Sequence, residues 1–358
     1  MYREMTLQCV HAPMNDTIDV TKLPIVYIRT HTRDTNIQFT SVMAVKGTLR
    51  IGIDQLNLSK TLSTGQNFRW KKRPNDEKWI GILDNCHVIT LRQKSKMIEF
   101  ELLNDENVDK SINSTYIETR LRNYFRLDHD IDNLYSKWAS QDDNFAKIAP
   151  KFKGIRLLRQ DVLENIFSFI CSSNNNISRI SRMIESLCTK YGEKLYSFKD
   201  NSFPDIHQFP PIDVLANVNV DSELRLLSFG YRAKFINQSA RHMMEASNGN
   251  GNQWIDQLTK MNYEDAKREL MSLPGIGAKV ADCICLMSLN HTEAIPVDTH
   301  VLQITTKHYL PHMQKVKSLT TQRYNDIGNF YREKFQDHAG WAQTVLFCSD
   351  LKQMKANK

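Results

Sequence analysis

Two reactive side chains stand out by type and spacing. Lys279 follows the run Leu273-Pro274-Gly275-Ile276-Gly277-Ala278, and Asp298 closes Ile295-Pro296-Val297-Asp298, 19 residues later. A lysine amine can add to an electrophilic carbon and form a Schiff base. A carboxylate beside it can stabilise developing positive charge or move a proton. Most lysines and aspartates are simply solvated or cap a helix. The Pro-Gly-Ile-Gly turn directly before the lysine, and the Pro-Val before the aspartate, argue instead for chemistry.

The surrounding elements must bring the two together. Residues 263–271 carry Ala266 and Leu270 at helical spacing. Pro274 and two glycines stop that helix and force a tight turn. Residues 278–289 resume helical character, giving a helix–hairpin–helix over 263–289. Gly275 and Gly277 lack a Cβ, so the turn's N–H groups can approach another surface closely. Those groups also open a helix, where the dipole favours an anion. A DNA phosphate fits such a site without sequence preference. A helix of about three turns and a return loop suffice to carry Asp298 back to Lys279.

Length and composition bound the rest. The 358 residues suit two or three domains, and 41% hydrophobic with 24% charged content suits a soluble globular chain. The net charge of +7 suits a polyanionic partner. No apolar run reaches membrane-spanning length, and the N-terminus lacks the apolar core of a signal peptide. Residues 1–44 mix acids and bases, unlike a mitochondrial presequence, and are expected to form a partly disordered extension with a short strand at Ile25–Ile28. Seven cysteines are scattered, and the one close pair, Cys283 and Cys285, lacks the spacing of a zinc or iron–sulfur set. No metal is expected, and a reduced intracellular compartment is.

Residues 45–103 read as β structure. Leu49–Ile53, Trp79–Leu83, Val88–Leu91 and Ile98–Leu102 are predicted strands of an antiparallel sheet, separated by polar turns such as Asp84-Asn85. Residues 115–150 turn helical, which sets an antiparallel β domain with following helices over 45–150. A helical domain is expected over 151–352, with a basic tail at 353–358. Leu163, Ile166, Phe167, Ile170 and Cys171 form the apolar stripe of a core helix. Residues 195–220, with Pro204, Pro210 and Pro211, read as a linker or insertion.

Other segments allow two readings each. Gly65-Gln66-Asn67-Phe68-Arg69-Trp70 fits a turn and a strand as well as any site. Asn174 to Asn176, with Arg179 one turn on, form either a capped loop or an edge-reader of exposed bases. Tyr231 and Arg232 suit a DNA-invading pair or plain packing. His300 suits a phosphate contact or the core. Gln343 and Phe347, four apart on one helix face, can together hold a nucleobase by hydrogen bonds and stacking.

Taken together, these segments resemble the helix–hairpin–helix glycine/proline–aspartate superfamily of base-excision DNA glycosylases. More narrowly, Gly65 to Trp70, Arg156 to Asp161, Cys171 to Asn176, Gly230 to Ala233, Lys279 to Met287 and Gly340 to Gln343 resemble the eukaryotic 8-oxoguanine DNA glycosylases/lyases, from about residue 46 to about residue 352. The resemblance implies an α+β fold: an antiparallel β domain like half of the TATA-binding protein, packed on a mostly helical helix–hairpin–helix domain. It implies Lys279 as the nucleophile at C1′ and Asp298 as its supporting carboxylate. Gly65, Cys283, Gln343 and Phe347 would hold the extruded base. Asn174, Arg179, Tyr231 and Arg232 would fill the vacated stack and read the orphaned cytosine. Gly275, Gly277 and His300 would contact phosphate. The partner implied is double-stranded DNA containing oxidised guanine, bound by a monomer with no cofactor and no membrane. The expected location is the nucleus, with the mitochondrion open as a second compartment.

Overall fold

The computed structural model describes residues 45–73, 76–103, 112–199, 203–313 and 319–356, and side chains as far as Asp350. The extension at 1–44, with its expected strand at Ile25–Ile28, lies outside the described residues.

Strands β1 (Lys46–Leu49), β2 (Lys71–Lys72), β3 (Trp79–Leu83), β4 (His87–Gln93) and β5 (Ile98–Leu103) form one antiparallel sheet in the order β1-β5-β4-β3-β2. Period-two alternation explains β5: Ile98, Phe100 and Leu102 are buried while Glu99 and Glu101 are not. The β3–β4 hairpin closes at the Leu83–His87 pair, with Asp84 and Asn85 at φ 53° and 54°. That left-handed conformation matches the strand twist and is tolerated by Asp and Asn. The first strand departs from expectation, ending at Leu49 rather than running to Ile53. The Ile51 N–H folds back on the Leu49 carbonyl at 3.0 Å and Ile53 is 39% exposed, so pairing with β5 stops at Leu49 although Ile51 still packs on the sheet core.

Helix α1 (Leu58–Leu62) lies between β1 and β2, and α2 (Ser114–Tyr124) covers the sheet. Ile117 and Leu121 of α2 share a core with Leu49, Ile89, Leu91 and Phe100. The next helices, α3 (Ile131–Gln141) and α4 (Asp143–Phe152), bury Trp138 and Phe145 in a second, larger core. That core also takes in α5 (Val162–Ile170) and α6 (Ile177–Tyr191). Asp130, Asp142, Asp161 and Asn176 each start one of these helices by accepting a first-turn N–H.

Residues 195–220 are not a linker. β6 (Lys194–Tyr196) and β7 (Ile206–His207) pair as a small hairpin, followed by α7 (Ile212–Leu215) and α8 (Val220–Leu226). Phe209, Ile212 and Leu215 are buried in the large core. Pro211 is the N-cap of α7, where a missing N–H leaves no bond unmade.

The remaining helices are α9 (Arg232–Ala246), α10 (Gly251–Leu258), α11 (Tyr263–Ser272), α12 (Ala278–Met287), α13 (Thr299–His308), α14 (Thr321–Phe335) and α15 (Ala339–Ala356). Helix α12 is the axis: every residue from Val280 to Met287 is buried, with α5 and α11 packed along it. Among the described residues no helix is long and apolar enough to cross a membrane.

Buried amides bind the two cores together. Gln66, 2% exposed, donates to the Arg156 carbonyl at 3.0 Å and accepts the Leu158 N–H at 3.1 Å. Gln160 donates its side-chain amide to the Gln66 carbonyl at 2.7 Å and its N–H to the Met287 carbonyl at 2.8 Å. The Gly65 turn is thereby tied to the C-terminal end of α12. Replacing Gln66 by Leu leaves a buried C=O and a buried N–H unpaired, each costing about 1–3 kcal/mol. Urea unfolding of Gln66→Leu should show that loss, and an unchanged midpoint would mean the amide ties nothing.

Candidate active site

The hairpin between α11 and α12 is shaped by sterics. Gly275 has φ +87°, and a Cβ there would lie 2.6 Å from the Phe235 ring. No other residue type fits that conformation and that approach. The Ile276 N–H closes the turn on the Leu273 carbonyl at 3.1 Å, and Ser239 Oγ donates to the Pro274 carbonyl at 3.0 Å. Gly277 is the N-cap of α12 and offers no side chain to the first-turn N–H groups. Those donors remain for a ligand, at the positive end of the helix dipole.

Lys279 sits in that first turn. Its Nζ lies 5.2 Å from the centroid of the Phe169 ring on α5, a cation–π contact that aims the amine across the gap between helices. Cys283 follows one helical turn later and is 3% exposed. Burial pushes its thiol up to about 11; Lys279, hydrogen-bonded to it, opposes that rise, and the charges of Asp282 and Asp298 add to it. The Lys279 amine therefore reaches the Cys283 sulfur, and both aspartates act on that sulfur only through their charge. Asp298 caps α13, accepting the Val301 N–H at 2.9 Å. That bond fixes the carboxylate against rotation.

A cleft of about 420 Å³ opens over this centre, lined by the Ser172–Asn174 loop, Gly275, Gly277, Lys279, Val297 and Tyr324 among others. Asn174 is exposed with φ +46°. Tyr231, 44% exposed, donates its hydroxyl to the Ser173 carbonyl at 3.2 Å. Arg232 differs from its neighbours. It is 3% exposed, its guanidinium donates to the Ser173 and Asn174 carbonyls, and it stacks 4.5 Å from the Tyr231 ring centroid. Arg179 is exposed in the first turn of α6.

The other sequence-derived residues lie on α15, at the start of α13 and in the Gly65 turn. Gln343, 4% exposed, and Phe347 lie a turn apart on α15, and the Phe347 ring meets His300 edge-on at 6.2 Å. The His300 Nδ1 is buried without a partner. Gly65 has φ +79° and faces Ile177. Neither Gly65, Cys283, Gln343 nor Phe347 belongs to the lining of the cleft itself. Helix α15 reaches α12 because residue 340 is glycine: a Cβ there would stand 2.3 Å from the Ala294 carbonyl and 2.6 Å from Leu286.

Sequence reasoning missed the supports. Asp282, 1% exposed, accepts from Tyr263 at 2.8 Å, from Lys267 at 3.0 Å and from Tyr324. Burial raises its pKa, and Lys267 with the two hydroxyls opposes that rise. An acid inside the apolar run Val280 to Met287 was the available signal, since a buried charge demands partners. Among the described residues no group of three or more His, Cys, Asp or Glu is placed to hold a metal ion.

A family model described as 8-oxoguanine DNA glycosylase, N-terminal domain, matches residues 48–166. One described as HhH-GPD superfamily base excision DNA repair protein matches residues 167–329. The chain is 36% identical over 311 residues to N-glycosylase/DNA lyase OGG1 of Arabidopsis thaliana, covering 86% of this chain and 80% of that protein. It is also 36% identical over 337 residues to an N-glycosylase/DNA lyase of Saccharomyces cerevisiae, covering 85% and 86% of the two. A solved Clostridium acetobutylicum 8-oxoguanine glycosylase/lyase, in complex with dsDNA containing cytosine opposite to 8-oxoG, is similar with a TM-score of 0.70 at 27% identity, over 84% of this chain and 93% of that one. The sheet, the hairpin and these matches in order along the sequence agree, and the chain belongs to the 8-oxoguanine DNA glycosylase family within the helix–hairpin–helix base-excision-repair superfamily.

Proposed function

We propose that this protein removes 8-oxoguanine from duplex DNA, preferentially opposite cytosine, by turning the nucleotide out of the stack and attacking its C1′ with Lys279. Its family makes it a bifunctional N-glycosylase and DNA lyase of base excision repair. The observation that carries the residue-level reading is the placing of Lys279 and the hairpin glycines in one open cleft with Val297, the residue directly before Asp298.

Binding starts with charge. The hairpin N–H groups at Gly275 and Gly277, with His300, take phosphate oxygens. Tyr231 and Asn174, exposed at the cleft rim, occupy the space the nucleotide leaves. Arg179 and Arg232 read the orphaned cytosine. For Arg232 this means exchanging its bonds to the Ser173 and Asn174 carbonyls for bonds to the base. The Clostridium relative, crystallised with cytosine opposite 8-oxoG, supports that preference.

Discrimination rests on one proton. Guanine has an acceptor at N7, whereas 8-oxoguanine has a donor there. The Gly65 carbonyl, held by the Gln66 amide bonds, accepts from the lesion. With guanine it meets a second acceptor, a mismatch costing about 1–3 kcal/mol. Gln343 reads the Watson–Crick edge, while Cys283 and Phe347 cover the two faces of the base.

Chemistry follows at the sugar. As the C1′–N9 bond breaks, its electron pair leaves with the base, and Asp298 stabilises the positive charge on the sugar. The Lys279 nitrogen, as the neutral amine, forms the new bond to C1′; the C1′–O4′ bond then breaks, O4′ takes one nitrogen proton, and the nitrogen keeps the other in a protonated imine. Loss of a C2′ proton then expels the 3′ phosphate by β-elimination. The proposal places the protein in the nucleus, with the mitochondrion as a second compartment.

Lys279→Gln should abolish base release and borohydride trapping while lesion-DNA binding changes little; turnover by this variant would overturn the assignment. Gln343→Ala should slow lesion excision by about tenfold or more, on the scale of about 1–3 kcal/mol for lost hydrogen bonds, yet bind undamaged duplex normally. Equal losses on both duplexes would remove its base-reading role. Strand cleavage on duplexes with 8-oxoguanine opposite each of the four bases should be fastest opposite cytosine, and indifference to the opposite base would refute the preference.

A further inference from the structure

Tyr324, in the first turn of α14, occupies a place that no catalytic role claims. Its hydroxyl donates to Asp282 and accepts the Val297 N–H at 3.4 Å, with the Ile295 carbonyl 3.3 Å away. Val297 directly precedes Asp298, and Asp282 lies three residues beyond Lys279 on α12. One phenolic oxygen thus bonds both to the segment that delivers the carboxylate and to the helix that carries the amine. The surroundings lock the ring. Lys267 Nζ lies 5.3 Å from the Tyr263 ring centroid and 5.1 Å from that of Tyr324, while its charge pairs with Asp282 at 3.0 Å. Tyr324 is 7% exposed and lines the cleft from below.

Resting on the Lys279–Asp298 reading above, we propose that Tyr324 is a positioning residue of the reaction. Through its hydroxyl it couples the Ile295–Val297 segment to α12, so that nucleophile and carboxylate keep a fixed register. The argument is geometric. Asp298 is fixed on its C-terminal side by the Val301 N–H. On its N-terminal side, Tyr324 supplies the side-chain hydrogen bond to Val297. Misplacement of a reacting group by an ångström costs up to about a hundredfold in rate.

Tyr263 provides the control. It too donates to Asp282, at 2.8 Å, but its hydroxyl makes no bond to residues 295–297. Tyr324→Phe and Tyr263→Phe each remove one donor from the same carboxylate and keep the ring, so both should remain folded. In single-turnover assays with enzyme in excess, Tyr324→Phe should lower the maximal excision rate about tenfold, with the half-saturating enzyme concentration unchanged within about twofold. Tyr263→Phe should leave both quantities within about twofold of wild type. Hydrogen exchange supplies a readout independent of activity: the Val297 amide should lose protection in Tyr324→Phe and keep it in Tyr263→Phe. Equal rate losses in the two variants, or none in either, would overturn the proposal. So would a fast-exchanging Val297 amide in the wild-type protein. Failure of the underlying reading is separable, because it would appear in the unsubstituted chain as absence of excision and trapping.

Discussion

Eight consecutive buried residues, Val280 to Met287, hold α12 in place, and Lys279 stands at its open end. An amine is useful as a nucleophile only when its approach is fixed before the substrate arrives. The two ends of this helix are treated in opposite ways. At the C-terminal end Arg126, fully buried, donates to the Leu286 carbonyl at 3.2 Å and to the Asn290 side chain. Burial lowers its pKa to about 9, but the cation sits where the helix dipole favours it. At the N-terminal end Gly277 gives no cap, so the first-turn N–H groups face the cleft. One end is saturated by protein and the other is left for an anion, and Lys279 sits at the second.

The same helix carries a group that opposes stability. Burial holds the pKa of Asp282 above its ordinary value. A carboxyl whose folded pKa is raised favours folding most below its unfolded pKa, and that contribution is lost as pH rises through the folded value. Near neutral pH, therefore, Asp282 works against the fold, partly offset by Lys267 and the two tyrosines. Apolar residues of similar volume would pack there at lower cost. What a buried ion pair with two hydroxyl donors adds is direction, because a hydrogen-bonded carboxylate accepts few arrangements of its neighbours. Here α11, α12 and α14 all meet at that carboxylate, directly behind Lys279.

Much of this was legible in the chain because it is local. The hairpin is announced by Pro274, Gly275 and Gly277; β3, β4 and β5 by short apolar runs between polar turns; α5 by an apolar stripe. What escaped is long-range. Gln66 and Arg156 are separated by 90 positions, and no spacing rule connects them. Nor does any spacing show that Gly340 lets α15 press against Leu286, or that Arg232 spends its donors on loop carbonyls. The departures share this cause. Leu49–Ile53 has the alternation of a strand but no strand partner beyond Leu49, and of the two readings of 195–220, linker or insertion, the burial of Phe209 and Ile212 excludes the linker.

Rigid and adjustable parts divide along the cleft. Away from the cleft lining, Cys283 and Gln343 are buried on helices locked by neighbouring backbone, as Gly340 and the Trp341 bond to the Ile155 carbonyl at 3.1 Å illustrate. On the rim, Asn174 and Tyr231 are exposed on turns, joined through the Ser173 carbonyl. Arg232 belongs to both sides: it is buried like the first group and bonded to the loop like the second, with its Nε left unpartnered. An unpaired buried donor beside two carbonyl bonds is a poor end state for a guanidinium, which gains most when its whole fork is satisfied. On the proposed reading, the edge of the orphaned cytosine would offer the acceptors that the loop does not. The rim is thereby held by a guanidinium whose fork is only partly satisfied, whereas Asp298 and Asp282 behind it are held by backbone and side-chain donors of the protein itself.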